Sequence, residues 1–147
     1  MTKQDRNRQA LHDLFETLNR GDFETFPDYF DTENFRYRNV ATPARDNWEK
    51  WAPSPPAHYE AFNVRQEVLE ATAEGDNVWA YMVQTGKHTG TPWMGIAPSG
   101  NDLRVEWFSI FRFNEEGKIV EIRSVADTLG MLSQIGALPP IQFSGTG

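Results

Sequence analysis

The chain has 147 residues, a net charge of −7, no cysteine and an aromatic content of 13%. That size predicts one domain able to bury a core without staples, and the missing cysteine excludes disulfides, thiolate nucleophiles and cysteine-based zinc sites. The acidic balance argues against a nucleic-acid backbone binder, no apolar run approaches transmembrane length, the first residues lack a signal-peptide core, and a cytoplasmic location is expected.

The spacing of Ala10, Leu11, Leu14, Phe15 and Leu18 predicts a helix over residues 4–19, stopped by Gly21. A second short helix is expected over 23–30, on the stripe Phe23, Phe26, Tyr29 and Phe30. A short strand over 35–40 follows, then a helix over 45–51 that Pro53, Pro55 and Pro56 interrupt. A further turn or helix over 58–62 carries a weaker signal, and the proline segment reads as a stiff lip. Three long strands are expected over 64–73, 78–89 and 105–113. A turn at Gly117 leads to a last strand over 118–125, and Asp127 is placed to cap a final helix ending at Gly136.

Helices first, then a four-strand antiparallel meander, then a short helix describe an α+β fold. A curved antiparallel sheet with helices across its mouth makes a cone with an internal pocket. The domain is expected over 1–137, with an extended tail over 138–147. Strand alternation sorts the side chains. Trp107, Ser109 and Phe111 share one face of the third long strand, and Glu106, Phe108, Ile110 and Arg112 the other. Both faces carry large apolar groups, which predicts a pocket-lining face and a second face packed on another subunit; coverage by the C-terminal tail is the alternative. On the last strand Ile122 and Ser124 form one set, and on the short strand Phe35, Tyr37 and Asn39 form one.

The segment 86–136 carries a recognisable order of parts. It contains Gly86-Lys87-His88-Thr89-Gly90, then Gly95-Ile96-Ala97-Pro98-Ser99-Gly100, then Gly117-Lys118-Ile119, Asp127 and Leu132-Ser133-Gln134-Ile135-Gly136. In that order and spacing the chain resembles the SnoaL-like polyketide cyclases, within the ketosteroid-isomerase-like cone fold. The resemblance implies a dimeric, cofactor-free enzyme that closes a ring by intramolecular aldol condensation. It also implies an aspartate on the last strand as acid and base, assisted by a histidine on the preceding strand. A carboxylate in an apolar pocket has its pKa raised toward the working range, which suits that work. Here the aspartate position aligns with Ser124 and, with one extra residue in the turn, the histidine position with Ser109. Neither serine replaces a carboxylate as base without a second group to activate it. Limonene epoxide hydrolase, in the same fold superfamily, is similar at Tyr37-x-Asn39, but its acidic machinery would fall near Val83, Thr85 and Ser124, which cannot perform it.

The candidate catalytic residues are therefore His88, Asp127, Ser124 and Ser109. His88 titrates in the right range, with a loop-holding role as its alternative; Asp127 doubles as a helix cap. Candidate substrate-binding residues are Tyr37, Asn39, Trp51, Trp107, Phe111 and Ile122. Trp48, Tyr59 and Trp93 are further aromatic wall candidates. Glu106 is expected on the other face with Arg104. No cluster has metal-ligand spacing, so neither metal nor cofactor is expected. The predicted function is a cofactor-independent cyclase or isomerase acting on a hydrophobic polyketide- or terpenoid-type molecule. A binding protein without catalysis, or a lyase or dehydratase, is the alternative. The expected partners are that small molecule and a second copy of the chain.

Overall fold

The computed structural model describes residues 1–139; residues 140–147, most of the expected tail, lie outside the described residues. Helix α1 spans Lys3–Asn19, and the Thr2 hydroxyl caps it by accepting from the Asp5 amide at 3.0 Å. Leu11, Leu14, Phe15 and Leu18 fall on its buried face, as the 3.6-residue period dictates. The expected second helix is a single 3-10 turn, Phe26–Tyr29. Pro27 sits in its first turn and supplies no amide hydrogen, and the chain is already extended at Phe30.

Strand β1 is Arg36–Asn39, followed by a one-turn helix α2, Trp48–Trp51, and helix α3, Ser54–Phe62. The proline segment, expected as a stiff lip, forms the start of this helix. Pro53 stands at the N-cap of α3 and prolines fill its first turn, where an amide hydrogen would have no partner. Asn63 ends α3 in the left-handed region, at φ 47°.

Strands β2 (Arg65–Glu74), β3 (Asn77–Lys87), β4 (Asp102–Phe113) and β5 (Ile119–Ala126) form the antiparallel meander. The sheet order is β1-β5-β4-β3-β2, with β1 running parallel to β5 at the edge. Helix α4, Thr128–Gln134, folds back on β4. Its Gln134 clamps the strand: the Arg104 amide donates to Gln134 Oε1 at 2.7 Å, and Gln134 Nε2 donates to the Arg104 carbonyl at 2.9 Å. Among the described residues, no helix is long and apolar enough to cross a membrane.

Alternation divides the sheet as expected. Leu103, Val105, Ser109, Phe111 and Phe113 of β4 are buried, while Arg104, Glu106, Phe108 and Arg112 are exposed. The concave face holds the main core, in which α1, the aromatic segment 26–35 and the sheet meet around Leu14, Phe15, Phe35 and Phe111. A second core, built on Phe62, Leu103 and Ile135, fills the end of the cone beneath α3 and α4.

Candidate functional site

The register of the sheet sets Ala71, Ala80, Ser109, Ser124 and Asn39 in one row across all five strands. Ala71, Ala80, Ser109 and Ser124 are small, so the row is a low line in the concave face. Rows of bulky residues flank it: Val78, Phe111, Ile122 and Tyr37 on one side, Met82 and Trp107 on the other. Ser109 and Ser124 are 3% and 8% exposed, and their hydroxyl oxygens lie 2.6 Å apart. A buried hydroxyl without a partner is costly, and here one serine donates to the other, which leaves the accepting serine's hydrogen available.

Tyr37 stands at the β1 end of this pair. Burial pushes its phenol pKa up, opposed by hydrogen bonding to the Ser124 and Asn39 side chains, and the negative charge of Asp46 adds a smaller upward push. The phenol therefore stays protonated. Asn39 Oδ1 accepts from the Ala41 amide at 2.9 Å, which fixes the amide plane and leaves its NH2 group free to donate. Trp51 packs against Tyr37 with ring centroids 5.7 Å apart, and it is itself backed by Phe30 and Phe35. Tyr37, Asn39, Trp51 and Trp107 are each half-buried, whereas Phe111 and Ile122 are buried in the core. The structure thus brings together Tyr37, Asn39, Ser109, Ser124, Trp51, Trp107, Phe111 and Ile122 around one line of the sheet.

It does not bring His88 there. Ser109 pairs with Ala80, and His88 lies eight residues further along the β3 direction. At about 3.3 Å per residue that is about 25 Å along the strand. His88 is fully buried in the second core, its ring 4.8 Å from that of Phe62 and its Nε2 3.1 Å from the Thr91 carbonyl. The flanking glycines explain the local motif. A Cβ at Gly86 would lie 2.4 Å from the Phe62 carbonyl oxygen, and one at Gly90 1.7 Å from that of Glu60. Gly90 also donates its amide to the Ala61 carbonyl at 3.0 Å. The Gly-x-His-x-Gly segment presses the loop against the end of α3, and side chains at those two glycines would prevent the contact.

Asp127 is exposed and caps α4, Oδ1 accepting from the Gly130 amide at 2.9 Å. Glu106 and Arg104 pair at 2.9 Å on the outer face. Trp48 and Tyr59 pack on the main core, and Trp93 on the second. Tyr59 donates to Asn19 Oδ1 at 2.8 Å, tying α3 to the end of α1.

Two features escaped sequence reasoning. His58 packs against Trp93 at 4.3 Å, its Nδ1 has no hydrogen-bond partner among the described residues, and burial lowers its pKa to about 4. Its helix carried only a weak signal, so nothing in the sequence placed it inside. The second is the β3 share of the outer face, whose β4 residues the sequence predicts to be apolar and packed on another subunit. Trp79 and Phe108 are 49% and 57% exposed, and Tyr81 stacks on Phe108 at 4.7 Å and 12°. A hollow of about 660 Å³ runs behind the serine row between Trp79 and Tyr81 on β3, Phe108 and Ile110 on β4, and Arg123 and Val125 on β5. A neighbouring hollow of about 560 Å³ reaches Arg104, Glu106 and Asp127. Only the cross-strand register could have shown that these residues adjoin.

Comparison with solved structures finds the same fold. A proposed SnoaL-like polyketide cyclase from Jannaschia sp. CCS1 is 24% identical, with a TM-score of 0.81 over 95% of this chain and 97% of that one. AclR of Streptomyces galilaeus, a proposed hydroxylase, is 20% identical with a TM-score of 0.84, covering 95% of this chain and 86% of its own. An epoxide hydrolase of M. tuberculosis resembling limonene epoxide hydrolase is 14% identical with a TM-score of 0.69, over 91% and 92% of the two chains. At these identities the likeness establishes the fold alone. No curated protein matches the sequence. The family model described as SnoaL-like polyketide cyclase matches residues 8–135, nearly the whole of the cone, and the chain belongs to that family.

Proposed function

We propose that this protein binds a hydrophobic polyketide- or terpenoid-type molecule on the concave face and promotes its cyclisation or isomerisation without a carboxylate base. The observation that carries this reading is the Ser109–Ser124 pair, 2.6 Å apart in the middle of an aromatic interior, with the Tyr37 phenol alongside. The row supplies hydrogen-bond donors to a carbonyl oxygen, and donors aimed at developing negative charge stabilise an enolate-like transition state. Trp51 and Trp107 would hold a flat substrate against it. The test is incubation with a panel of aromatic polyketides and cyclic terpenoids, followed by mass-resolved chromatography. A product formed only with protein, and lost in Ser124→Ala together with Tyr37→Phe, supports the reading. Conversion at the wild-type rate in that double variant overturns it.

The serine pair also favours a second reading, a carrier that binds the same ligand unchanged, because neither serine is a base and His88 is remote. Binding with the ligand recovered intact after long incubation selects it.

The proposed assembly is a homodimer through the outer sheet face. Trp79, Phe108 and Val125 expose apolar surface there, and the bordering pairs Arg104–Glu106 and Arg112–Glu121 carry both signs. Such a mixed rim around an apolar centre suits a second copy of the same face.

A further inference from the structure

Two buried glutamines face each other on the concave side, across β2 and β3. Gln66 and Gln84 are a register pair, with Val105 of β4 next in the same row. Alternation puts both inward. On β2 the neighbours Arg65 and Glu67 are exposed, and on β3 Gln84 continues the buried set Val78, Ala80 and Met82. Gln66 is 8% exposed and Gln84 6%. The backbone beneath the pair is fixed. The Gln66 amide donates to Asn19 Oδ1 at 2.9 Å, and its carbonyl accepts from Asn19 Nδ2 at 2.8 Å, which ties the start of β2 to the end of α1.

The side-chain amides are not held in the same way. Among the described residues, neither makes a hydrogen bond, to the other or to a third group. Asn19 Oδ1 is already taken by the Gln66 backbone and the Tyr59 phenol. Nor are the amide atoms sealed away without a partner, as Nδ1 of His58 and of His88 are. The two amides therefore keep contact with accessible space inside the cone. A buried amide without a partner is costly unless something enters to meet it. A facing pair sets donors and acceptors side by side. A hydroxyl group, which both donates and accepts, matches that patch.

The patch lies apart from the serine row. Gln84 is four residues from Ala80, the β3 member of that row, about 13 Å along the strand at about 3.3 Å per residue. Val68, Met82 and Trp107 form the row between them. At the far end the serine pair keeps a hydrogen to donate. Two polar strips on either side of an apolar floor complement a flat molecule with an oxygen at each end. We propose that Gln66 and Gln84 form a second polar subsite on the concave face, which selects a ligand bearing a hydroxyl at the end remote from the serine row. This inference rests on the small-molecule reading above and deepens it, by naming the side chains that recognise the far end of the ligand.

The test uses the full-length protein and two probes, 1-tetralone and 6-hydroxy-1-tetralone. They share the ketone and differ only in a hydroxyl across the ring system. NMR titration follows the Trp107 backbone amide and the side-chain NH2 groups of Gln66 and Gln84. The hydroxylated probe is expected to bind the wild type about tenfold more tightly and to shift both NH2 groups, the effect of one or two hydrogen bonds. Gln66→Met and Gln84→Met keep the unbranched shape and lose the amide. Each should cut that advantage below about threefold and leave the affinity for 1-tetralone within about twofold. No protein partner is lost, so the melting temperature should hold; a fall of more than about 5 °C in both variants assigns the amides to the fold and overturns the subsite. Equal affinity of the two probes for the wild type, or an advantage that survives in both variants, also overturns it and leaves the small-molecule reading standing. If neither probe shifts Trp107 or either glutamine, the small-molecule reading itself falls, and this inference with it.

Discussion

Ser109 and Ser124 face each other across β4 and β5 as a register pair, and their hydroxyls form a closed contact of 2.6 Å in the core. Each is the other's partner, so removing one strands the other. Ser109→Ala and Ser124→Ala should each destabilise the fold by about 1–2 kcal/mol. The double variant should cost clearly less than the sum of the two. A double-mutant cycle from urea denaturation checks this; additive losses would show that the pair is not coupled.

Ser124→Asp returns a carboxylate to the place where the family's acid and base is expected. Among the described residues, the charged side chains of β1, β4 and β5 are on the outer face, so the new group is expected to sit neutral at pH 7, with its pKa raised by burial. Stability should therefore fall as pH rises through that raised value, opposite to the usual surface aspartate. Thermal melts of the variant and wild type between pH 5 and 8 measure it, and a difference that does not grow with pH counts against the buried, uncompensated environment described for the row.

His58 carries the acid sensitivity of the second core. Its folded pKa is about 4 against 6.5 when free. Its contribution to stability is complete above about pH 6.5 and is lost as pH falls through 6.5 toward 4, where the unfolded chain takes the proton first. The expected loss is about 2 kcal/mol by pH 5. His58→Phe should flatten this part of the curve. Chemical denaturation at pH 7 and pH 5 decides, and an unchanged slope in the variant assigns the acid sensitivity elsewhere.

Gly90→Ala places a methyl group where the Glu60 carbonyl oxygen already is. Backbone rather than a flexible side chain blocks the space, so the loop 88–101 must lift from α3. A loss of about 2–4 kcal/mol is expected, with faster hydrogen exchange at the Gly90 amide and around His88. Wild-type stability in this variant would contradict the close approach.

The outer face predicts a concentration-dependent assembly. Trp79→Lys combined with Phe108→Glu changes two exposed side chains and should leave the melting temperature within a few degrees while converting a dimer to a monomer in light scattering. A wild-type protein that is already monomeric at high concentration removes the dimer proposal.

Much of this molecule was legible in the sequence because local rules and tertiary structure agree. The apolar period of α1, the alternation of β4 and the Asp127 cap were all set by neighbours in the chain. The placement of Ser109 beside Ser124 followed from alternation and the turn at Gly117. The failures sit where distant segments decide. Pro53, Pro55 and Pro56 read as a helix stop and do follow the end of α2, but Pro55 and Pro56 also sit in the first turn of α3, because a helix tolerates proline there. His88 read as a candidate base, yet its position along β3 puts it at the far end of the strand. The exposed aromatics of β3 became a surface only when β4 was laid beside them.

Strand β1 joins the sheet only by pairing parallel to β5, a segment made near the other end of the chain. Such a pairing closes a long loop, and that closure costs chain entropy which the β1–β5 contacts must offset. Tyr37 and Asn39 ride on that strand. Half of the candidate site thereby rides on an edge strand that meets the sheet on one side only, and a ligand gripping both Tyr37 and Ser124 would tie that edge to β5.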